Sequence, residues 1–263
     1  MYFTAQYIDV KLKQDYADFS QDEIQKGLII CDGIGEFPDS GKAAKVIVER
    51  YIANSFQSID KLVYDSVIEK LNDDSFKGGT TFISAVNKNE SNEVDIEYLG
   101  NGGIIHLYGD FANNANSDEP YRYGEIMIPH ISPSGALTKH ISHNSNKPEL
   151  LSSRVKLNLN YFNGDIIFLF SDGISSLEDK VILKDADGRY WRNENAAIQL
   201  ILSELNEFLK IEYNTNDFDE ILVKFNKDIL EKLKSENYLE DDASLGIIIT
   251  EQVLSYYMQV VND

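Results

Sequence analysis

The stretch "GLIICDGIGEFPDSGKAAK" occupies residues 27–45 and combines a strand signal with a helix signal. Its apolar run at residues 28–31 is typical of a buried strand, and that run ends on Asp32. Asp39 and Ser40 both suit the N-cap of a helix, and the apolar residues after them recur at helical spacing. We therefore predict a strand, a short loop that starts with a carboxylate, and a helix. A carboxylate at the end of a buried strand raises the question of what it binds.

The same arrangement occurs again in "GDIIFLFSDGISS" at residues 164–176, where an apolar strand ends in Asp172. A third stretch, "LEDDASLGIIIT" at residues 239–250, has the reverse polarity, because Asp241 and Asp242 precede the apolar run. If this last strand is antiparallel to the other two, the acidic groups of all three share one edge of the fold.

Carboxylates gathered at one edge repel each other, and ionising them together is costly unless cations lie between them. Asp15, after the first strand, would join this group. Oxygen-only ligands favour Mg²⁺ or Mn²⁺ over zinc or copper. A plainer interpretation stays open, since an isolated Asp-Gly pair is most often a type I′ hairpin turn. Against it, Asp32 and Gly33 lead into a helix and not into a returning strand.

The composition excludes several classes of protein. The chain has 263 residues, with 24 Lys and Arg against 44 Asp and Glu, and a formal net charge of −20. Such a charge repels phosphate backbones and anionic lipid heads, so we expect neither nucleic acid nor a membrane as partner. The sole cysteine, Cys31, excludes an intrachain disulfide and a thiolate metal cluster, and its place in an apolar run suggests a core residue.

The organisation of the chain is simple. No Pro-rich linker or low-complexity block interrupts it, so we predict a single domain over residues 1–263. No leader signal and no run of about 18 apolar residues is found, so we expect a cytoplasmic protein, and we expect it to be a monomer.

Strand and helix signals come in segregated runs, which favours an α+β layered fold over a doubly wound parallel sheet. The expected elements are two early strands, helices from residue 40 and at 58–71, strands at 80–87, 93–100, 103–110 and 123–130, a strand pair at 154–170, helices near 194–210 and 217–235, and a closing strand at 244–250.

Taken together, these segments resemble the metal-dependent protein phosphatases of the PPM family, the type 2C serine/threonine phosphatases, in their bacterial form. The resemblance covers most of the chain in the family's order, through "KQDYADF", "IICDGIGEFPDSGKAA", "GGTTFISAV", "EYLGNGGIIHLY", "SGALTKH", "GDIIFLFSDGISS" and "DDASLGIIIT". It implies a four-layer α-β-β-α sandwich, in which helix pairs flank a central antiparallel β-sandwich. It also implies a phosphoric monoester hydrolase of signalling pathways, which removes phosphate from phosphoserine or phosphothreonine of a phosphoprotein substrate through a metal-activated water.

The resemblance assigns roles to the residues that match the family's motifs. It implies two Mg²⁺ or Mn²⁺ ions, with Asp32 bridging both and the Gly33 carbonyl binding one of them. Asp172 and Asp241 would complete the ligand set, and Asp15 would bind directly or through water. The implied catalytic residues are thus Asp32, Asp172 and Asp241.

Four positions depart from the family's pattern. Val10 stands where members commonly have an arginine that binds the substrate phosphate, and Lys13 is the candidate replacement for substrate binding. Ile34 follows the bacterial pattern, which leaves no histidine there to protonate the leaving group. Asn101 is a poorer ligand than the usual Asp and argues against a third ion. Glu36 replaces a glycine, and it would either crowd the loop or add an oxygen near the metals.

These departures leave alternatives to a fully active phosphatase. Val10 and Asn101 motivate a catalytically weak relative that serves as a regulatory or phosphoprotein-binding module. A third reading is an acidic edge that holds a structural calcium ion. Asp242 lies where many members have Asn, so we rank it below Asp241 as a metal ligand.

Overall fold

The computed structural model describes two five-stranded sheets, two short two-stranded sheets and five helices. The described residues are 1–62, 75–89, 91–108, 122–143, 152–160, 164–174, 182–184, 190–192 and 196–262. The strands are β1 (Tyr2–Ile8), β2 (Tyr16–Gln21), β3 (Gln25–Cys31), β4 (Gly79–Thr80), β5 (Phe82–Lys88), β6 (Glu93–Leu99), β7 (Gly103–Tyr108), β8 (Arg122–Glu125), β9 (Ile141–Ser142), β10 (Ser153–Asn158), β11 (Asp165–Phe170), β12 (Ile182–Lys184), β13 (Tyr190–Arg192) and β14 (Ala243–Ile249). The helices are α1 (Ser40–Ala53), α2 (Ile59–Leu62), α3 (Ala196–Glu212), α4 (Phe218–Ser235) and α5 (Glu251–Asn262).

The two large sheets are antiparallel throughout. The first has the strand order β1-β14-β11-β7-β8, and the second has the order β10-β6-β5-β3-β2. Their pairings are all antiparallel. This confirms the expected mixture of helices with antiparallel sheets. In such a sheet the end of one strand lies beside the start of its neighbour, so residues distant in sequence meet at one edge.

Three hydrophobic clusters bury the faces of the large sheets. One cluster joins residues of both sheets, among them Leu28, Ile167 and Ile248. A second, the helix-facing cluster, joins the first sheet to α3, α4 and α5. The third joins the second sheet to α1 and includes Cys31, whose expected place in the core is therefore confirmed. Burial raises the pKa of the Cys31 thiol well above its usual range, so the residue packs as a small apolar side chain.

The central strands β11 and β14 are covered on both faces. Along β11, Ile166 and Phe168 pack toward the helices, whereas Ile167 packs between the sheets. Every residue of the two strands is buried. A strand buried on both faces has an apolar run in place of an alternating pattern, which explains "DIIFLF" and "LGIII".

Five elements of the described structure were not predicted from the sequence: β2, β9, β12, β13 and α5. β2 lies at the edge of the second sheet and has one buried residue, Ala17, so its sequence "YADFSQ" carries almost no strand signal. α5 follows β14 after Thr250 alone and packs Val253 and Tyr257 into the helix-facing cluster. The first sheet therefore contacts three helices where a pair was expected.

Other expected elements have different bounds. The strand expected at residues 123–130 ends at Glu125. The helix expected at residues 58–71 is described over Ile59–Leu62, and the remainder of that prediction lies outside the described residues. Within the described ranges, no helix combines the length and the apolar character needed to cross a bilayer.

The cluster between the sheets predicts a stability effect. Leu28 in β3 has no exposed surface. We expect Leu28→Ala to lower the free energy of unfolding by about 2–5 kcal/mol, because it removes buried methyl groups and leaves a cavity. The measurement is urea unfolding followed by circular dichroism. The control Ile211→Ala truncates a side chain of α3 that is 73% exposed, and it should cost under about 0.5 kcal/mol. Equal losses in both variants would contradict this assignment of the core.

Candidate metal centre

The predicted carboxylates lie at one end of the two large sheets. In the first sheet, Phe170 near the end of β11 pairs with Leu245 near the start of β14. Asp172, two residues after β11, and Asp241, two residues before β14, therefore lie at the same edge. The antiparallel relation that this placement required is confirmed for these two strands.

A cleft of about 140 Å³ at this edge brings the predicted metal-site residues together. The cleft is lined by Asp15, Asp32, Gly33, Asp172 and Asp241, together with residues that include Gln14, Thr81, Asn101 and Asp242. Cavities that enclose a whole small organic ligand are larger, about 300–1,000 Å³. This cleft suits ions and water, with a larger substrate approaching from outside.

The loop after β3 holds Asp32 and Gly33 by backbone contacts. The carbonyl oxygen of Asp32 accepts hydrogen bonds from the N–H of Thr81 at 2.8 Å and from Oγ1 of Thr80 at 2.9 Å. A side chain at Gly33 would lie 2.8 Å from atoms of Gln14 and Ser40. Glycine is thus required at this position because the neighbouring chain approaches so closely.

Asp15 is held by two serines from the other sheet. Ser171 and Ser244 both donate their hydroxyl hydrogens to Oδ2 of Asp15, at 2.8 and 2.9 Å. Ser171 also accepts a hydrogen bond on Oγ from the N–H of Ser244, at 2.9 Å. Asp15 is 4% exposed, so these bonds provide the partners that a buried carboxylate needs.

Asp15, Asp32 and Asp172 interact directly. Asp32 lies within hydrogen-bonding range of both other carboxyl groups. Burial raises the pKa of Asp32 well above its usual range, and the charges of Asp15 and Asp172 raise it further. Burial raises the pKa of Asp15 to about 7, although its hydrogen bonds with the two serines and with Asp32 act in the opposite direction. Ionisation of Asp32 is therefore unfavourable when no cation lies beside it.

The two aspartates before β14 differ in their surroundings. Asp241 is exposed at the edge of the cleft, and its Oδ1 accepts the N–H of Asp242 at 2.9 Å. Asp242 is 3% exposed and accepts backbone hydrogen bonds on both oxygens. Also in the lining of the cleft, Nδ2 of Asn101 donates to Oδ2 of Asp172 at 2.5 Å. Asn101 thus contacts a carboxylate through its amide hydrogen.

The carboxylates fit a hard divalent cation by their chemistry. Within the described ranges, no three His, Cys, Asp or Glu side chains already have the geometry of a formed metal site. The groups that converge offer oxygen atoms only, as Mg²⁺ and Mn²⁺ prefer. Oδ1 of Asp15 is buried and accepts no hydrogen bond from an N–H or hydroxyl group of the described residues, so it is available to a cation or to its water. A cation would also offset the burial of charge and the repulsion that together raise the pKa values of Asp15 and Asp32.

The lining of the cleft carries no positive side chain: no lysine, arginine or histidine of the described residues belongs to it. Lys13, the predicted substrate-binding residue, is exposed and lies next in sequence to Gln14, which does line the cleft. Glu36 is also exposed and adds no oxygen to the lining that the structure describes. A phosphate group would meet only neutral or negative side chains there.

Sequence reasoning missed Ser171, Ser244 and the anchoring contacts of Asp242. A signal for the serines was present, since each lies beside or within a buried apolar strand. A buried hydroxyl needs a hydrogen-bond partner, and a nearby carboxylate is the natural acceptor. No local signal marks the partners of Asp242, because they lie more than 220 residues away in the sequence.

Comparison with known proteins gives matches among solved structures alone. No family model matches the chain, and no curated protein matches it. A bacterial serine phosphatase, solved as a point mutant, is similar over 94% of this chain and 96% of that chain, with a TM-score of 0.60 and 14% identity. The serine/threonine phosphatase Stp1 from Staphylococcus aureus is similar over 93% of each chain, with a TM-score of 0.59 and 15% identity.

A further match is RsbX, solved in complex with magnesium. It is similar over 93% of this chain and 92% of that chain, with a TM-score of 0.53 and 11% identity. At these identities the likeness is one of fold. The chain has the fold of bacterial serine/threonine phosphatases, in agreement with the fold that the PPM resemblance implied.

The raised pKa values predict how stability depends on pH in the metal-free protein. An aspartate in an unfolded chain has a pKa of about 3.9, whereas burial raises that of Asp15 to about 7. The folded protein therefore binds more protons than the unfolded chain between these values, and the free energy of unfolding should fall as pH rises through this window. We expect the urea midpoint in chelator to be higher at pH 5 than at pH 7.5.

A matched pair of variants tests whether the carboxylates of the cleft cause this dependence. Asp15→Asn should weaken it, since an amide does not titrate and its loss also removes one of the charges that raise the pKa of Asp32. Asp22→Asn, in an exposed turn, changes the formal charge equally and should leave the dependence as in the parent chain. Excess Mn²⁺ should also flatten the dependence. A parent chain whose midpoint is unchanged or rises between the two pH values would contradict the prediction.

Proposed function

We propose that this chain is a Mg²⁺- or Mn²⁺-dependent phosphatase that hydrolyses phosphoserine and phosphothreonine in proteins. The observation that carries the proposal is the convergence of Asp15, Asp32 and Asp172 in a cleft without a positive side chain among the described residues. Such a group is unfavourable without cations. The fold shared with bacterial serine/threonine phosphatases supports the same reaction class.

The proposed ligand set is the one expected from the resemblance. Asp32 is central among the three carboxyl groups, which suits it to bridge two ions. Its neighbour Gly33 would offer a carbonyl oxygen, and Asp172 and Asp241 would complete the set from the first sheet. Asp15 would bind directly or through water, because Oδ2 is occupied by two serines and Oδ1 is not.

When bound, two divalent cations would lower the pKa of a water molecule and neutralise charge on the phosphoryl oxygens. The chain's own residues would hold those cations and exclude other ligands by the small volume of the cleft. No histidine of the described residues lines the cleft, so the leaving alkoxide would take its proton from solvent. Asn101 would orient Asp172 through its amide and, being neutral, would favour two ions over three.

The proposal includes the finer features of the fold. The three hydrophobic clusters support a four-layer α-β-β-α order, with α5 as an additional helix beside the pair on the first sheet. We also retain a single domain over residues 1–263 and a phosphoprotein as partner. A cytoplasmic location, a monomer, and the absence of nucleic acid and membrane partners stay predictions from the composition.

A second candidate function is a catalytically weak module that binds a phosphoprotein. The specific observation in its favour is that Val10, at the position of the family's phosphate-binding arginine, packs against the helix-facing cluster. The cleft lining then has no cation of its own to hold the phosphate in the described residues. Substrate affinity and turnover separate the two candidates.

The proposed reaction predicts metal-dependent hydrolysis. The chain should hydrolyse p-nitrophenyl phosphate and a phosphothreonine peptide in Mn²⁺, and chelator should abolish both activities. Asp32→Asn and Asp172→Asn should each lower kcat/KM by about 100-fold or more, since lost metal-based charge stabilisation amounts to several kcal/mol. Asp22→Asn, in an exposed turn, serves as the control and should retain activity.

Two results would redirect the proposal. Full activity in chelator would rule out the metal-dependent reaction. Tight binding of the phosphopeptide without turnover at saturating Mn²⁺ would favour the regulatory module.

The proposed role of Lys13 predicts a change in substrate affinity. Its ammonium group is exposed, so its interaction with a phosphate is screened by solvent. Lys13→Ala should raise KM for p-nitrophenyl phosphate by about two- to five-fold with a smaller change in kcat. Lys42→Ala removes an exposed cation of α1 that pairs with Asp39, and it serves as the control. An unchanged KM in Lys13→Ala would remove Lys13 from the substrate site.

A further inference from the structure

We infer that Asp242 is a positioning residue, which fixes the loop of residues 10–14 against the cleft, and is not a metal ligand. The topology places it for this role. Ile8 at the end of β1 pairs with Ala243 at the start of β14, so the chain that leaves β1 turns directly past Asp242. The loop then runs to Asp15, which precedes β2.

Both oxygens of Asp242 are occupied by the backbone of this loop. Oδ1 accepts the N–H of Val10 at 2.6 Å and that of Lys11 at 2.8 Å, and Oδ2 accepts the N–H of Gln14 at 2.7 Å. Asp242 is 3% exposed, and the structure shows no ion pair for it among the described residues. Hydrogen bonds to an ionised acceptor are roughly twice as strong as neutral ones. Three such bonds hold one loop at both of its ends.

The geometry requires aspartate in place of asparagine. An ionised carboxylate presents two acceptor oxygens, whereas an asparagine presents one oxygen and an NH₂ group that can only donate. In Asp242→Asn, either the N–H of Gln14 or the pair from Val10 and Lys11 would face a donor. A buried donor left without an acceptor destabilises the conformation that buries it.

The loop that Asp242 holds is in contact with the metal-centre residues. The carbonyl of Gln14 accepts the N–H of Gly33 at 3.1 Å, which joins the loop to the proposed ligand loop after β3. Lys13 has a φ of +57°, in the left-handed region that non-glycine residues rarely adopt. Its carbonyl oxygen lies 2.4 Å from where a side chain at Gly41 would begin, so the loop also packs closely on α1.

Asp242 therefore acts on the cleft through other residues. Holding Gln14 sets the positions of Gly33 and Asp15, and holding residues 10–14 sets where Lys13 can reach. The effect on metals and substrate rests on the proposed function. The effect on the loop itself does not, and it can be measured without catalysis.

The test compares amide hydrogen exchange and Mn²⁺ affinity in the full chain. In the parent chain, the amides of Val10, Lys11 and Gln14 should exchange at least about 100-fold more slowly than in an unstructured chain. In Asp242→Asn they should exchange about 10-fold or more faster than in the parent. Mn²⁺ affinity by calorimetry, without substrate, should fall by about 10- to 100-fold, as for other residues that hold metal ligands in place.

A second buried aspartate provides the control. Asp165 at the far end of β11 is 1% exposed, and its Oδ2 accepts the N–H of Asn160 at 2.7 Å. Asp165→Asn should lower the free energy of unfolding, as the replacement of a buried carboxylate generally does. It should leave the exchange rates of the three loop amides and the Mn²⁺ affinity unchanged. Equal changes in both variants, or unchanged amides in Asp242→Asn, would overturn the inference.

The outcomes remain informative if Asp242→Asn does not fold. Rapid exchange of the three amides in the parent chain would overturn the inference by itself, and slow exchange would support it. Failure of the proposed function would appear differently, as an absence of metal-dependent hydrolysis while the loop amides stay protected.

Discussion

The pair of hydrogen bonds from Ser171 and Ser244 to Asp15 joins the two sheets at the end where the site lies. Asp15 directly precedes β2 of the second sheet. Ser171 directly follows β11 and Ser244 lies near the start of β14, both strands of the first sheet. The hydrophobic clusters determine how the sheets face each other, but apolar contacts are not directional. The serine contacts supply the direction, because a hydroxyl must point at its acceptor. The convergence of carboxylates from both sheets depends on this link.

Much of the fold and the acidic residues of the site could be predicted from the sequence, and the reasons are local. The run before Asp172 is apolar because β11 is buried on both faces, and the helices α3 and α4 show regular apolar spacing. β2 could not be found in this way, since an edge strand with polar residues has little pattern. The role of Asp242 could not be predicted from local sequence either, because the N–H groups that it accepts lie at the other end of the chain.

The chain is strongly negative overall, and two of its exposed lysines lie on the loop beside the cleft. The net charge of −20 repels a phosphorylated protein at long range. Lys11 and Lys13 lie on the loop whose backbone Asp242 holds, so two exposed cations are attached near the acidic cleft. Bound divalent cations would act from inside the cleft, whose lining includes neither lysine. In the proposed reaction, the lysines of the loop would attract the substrate phosphate, and the cations in the cleft would promote its hydrolysis.

The elevated pKa of Asp15 has a consequence for how the centre would take up its ions. Because burial raises the pKa of Asp15 to about 7 and raises that of Asp32 well above its usual range, protons compete with cations for these carboxyl groups near neutral pH. A cation that occupies the cleft must displace those protons, so uptake is an exchange of metal for hydrogen ions. The occupancy of the centre then depends on the acidity of the surroundings as well as on the supply of metal. Moderate acidification would release the cations from such a centre and leave the fold intact, because protons compete with the cations for the same carboxylate oxygens.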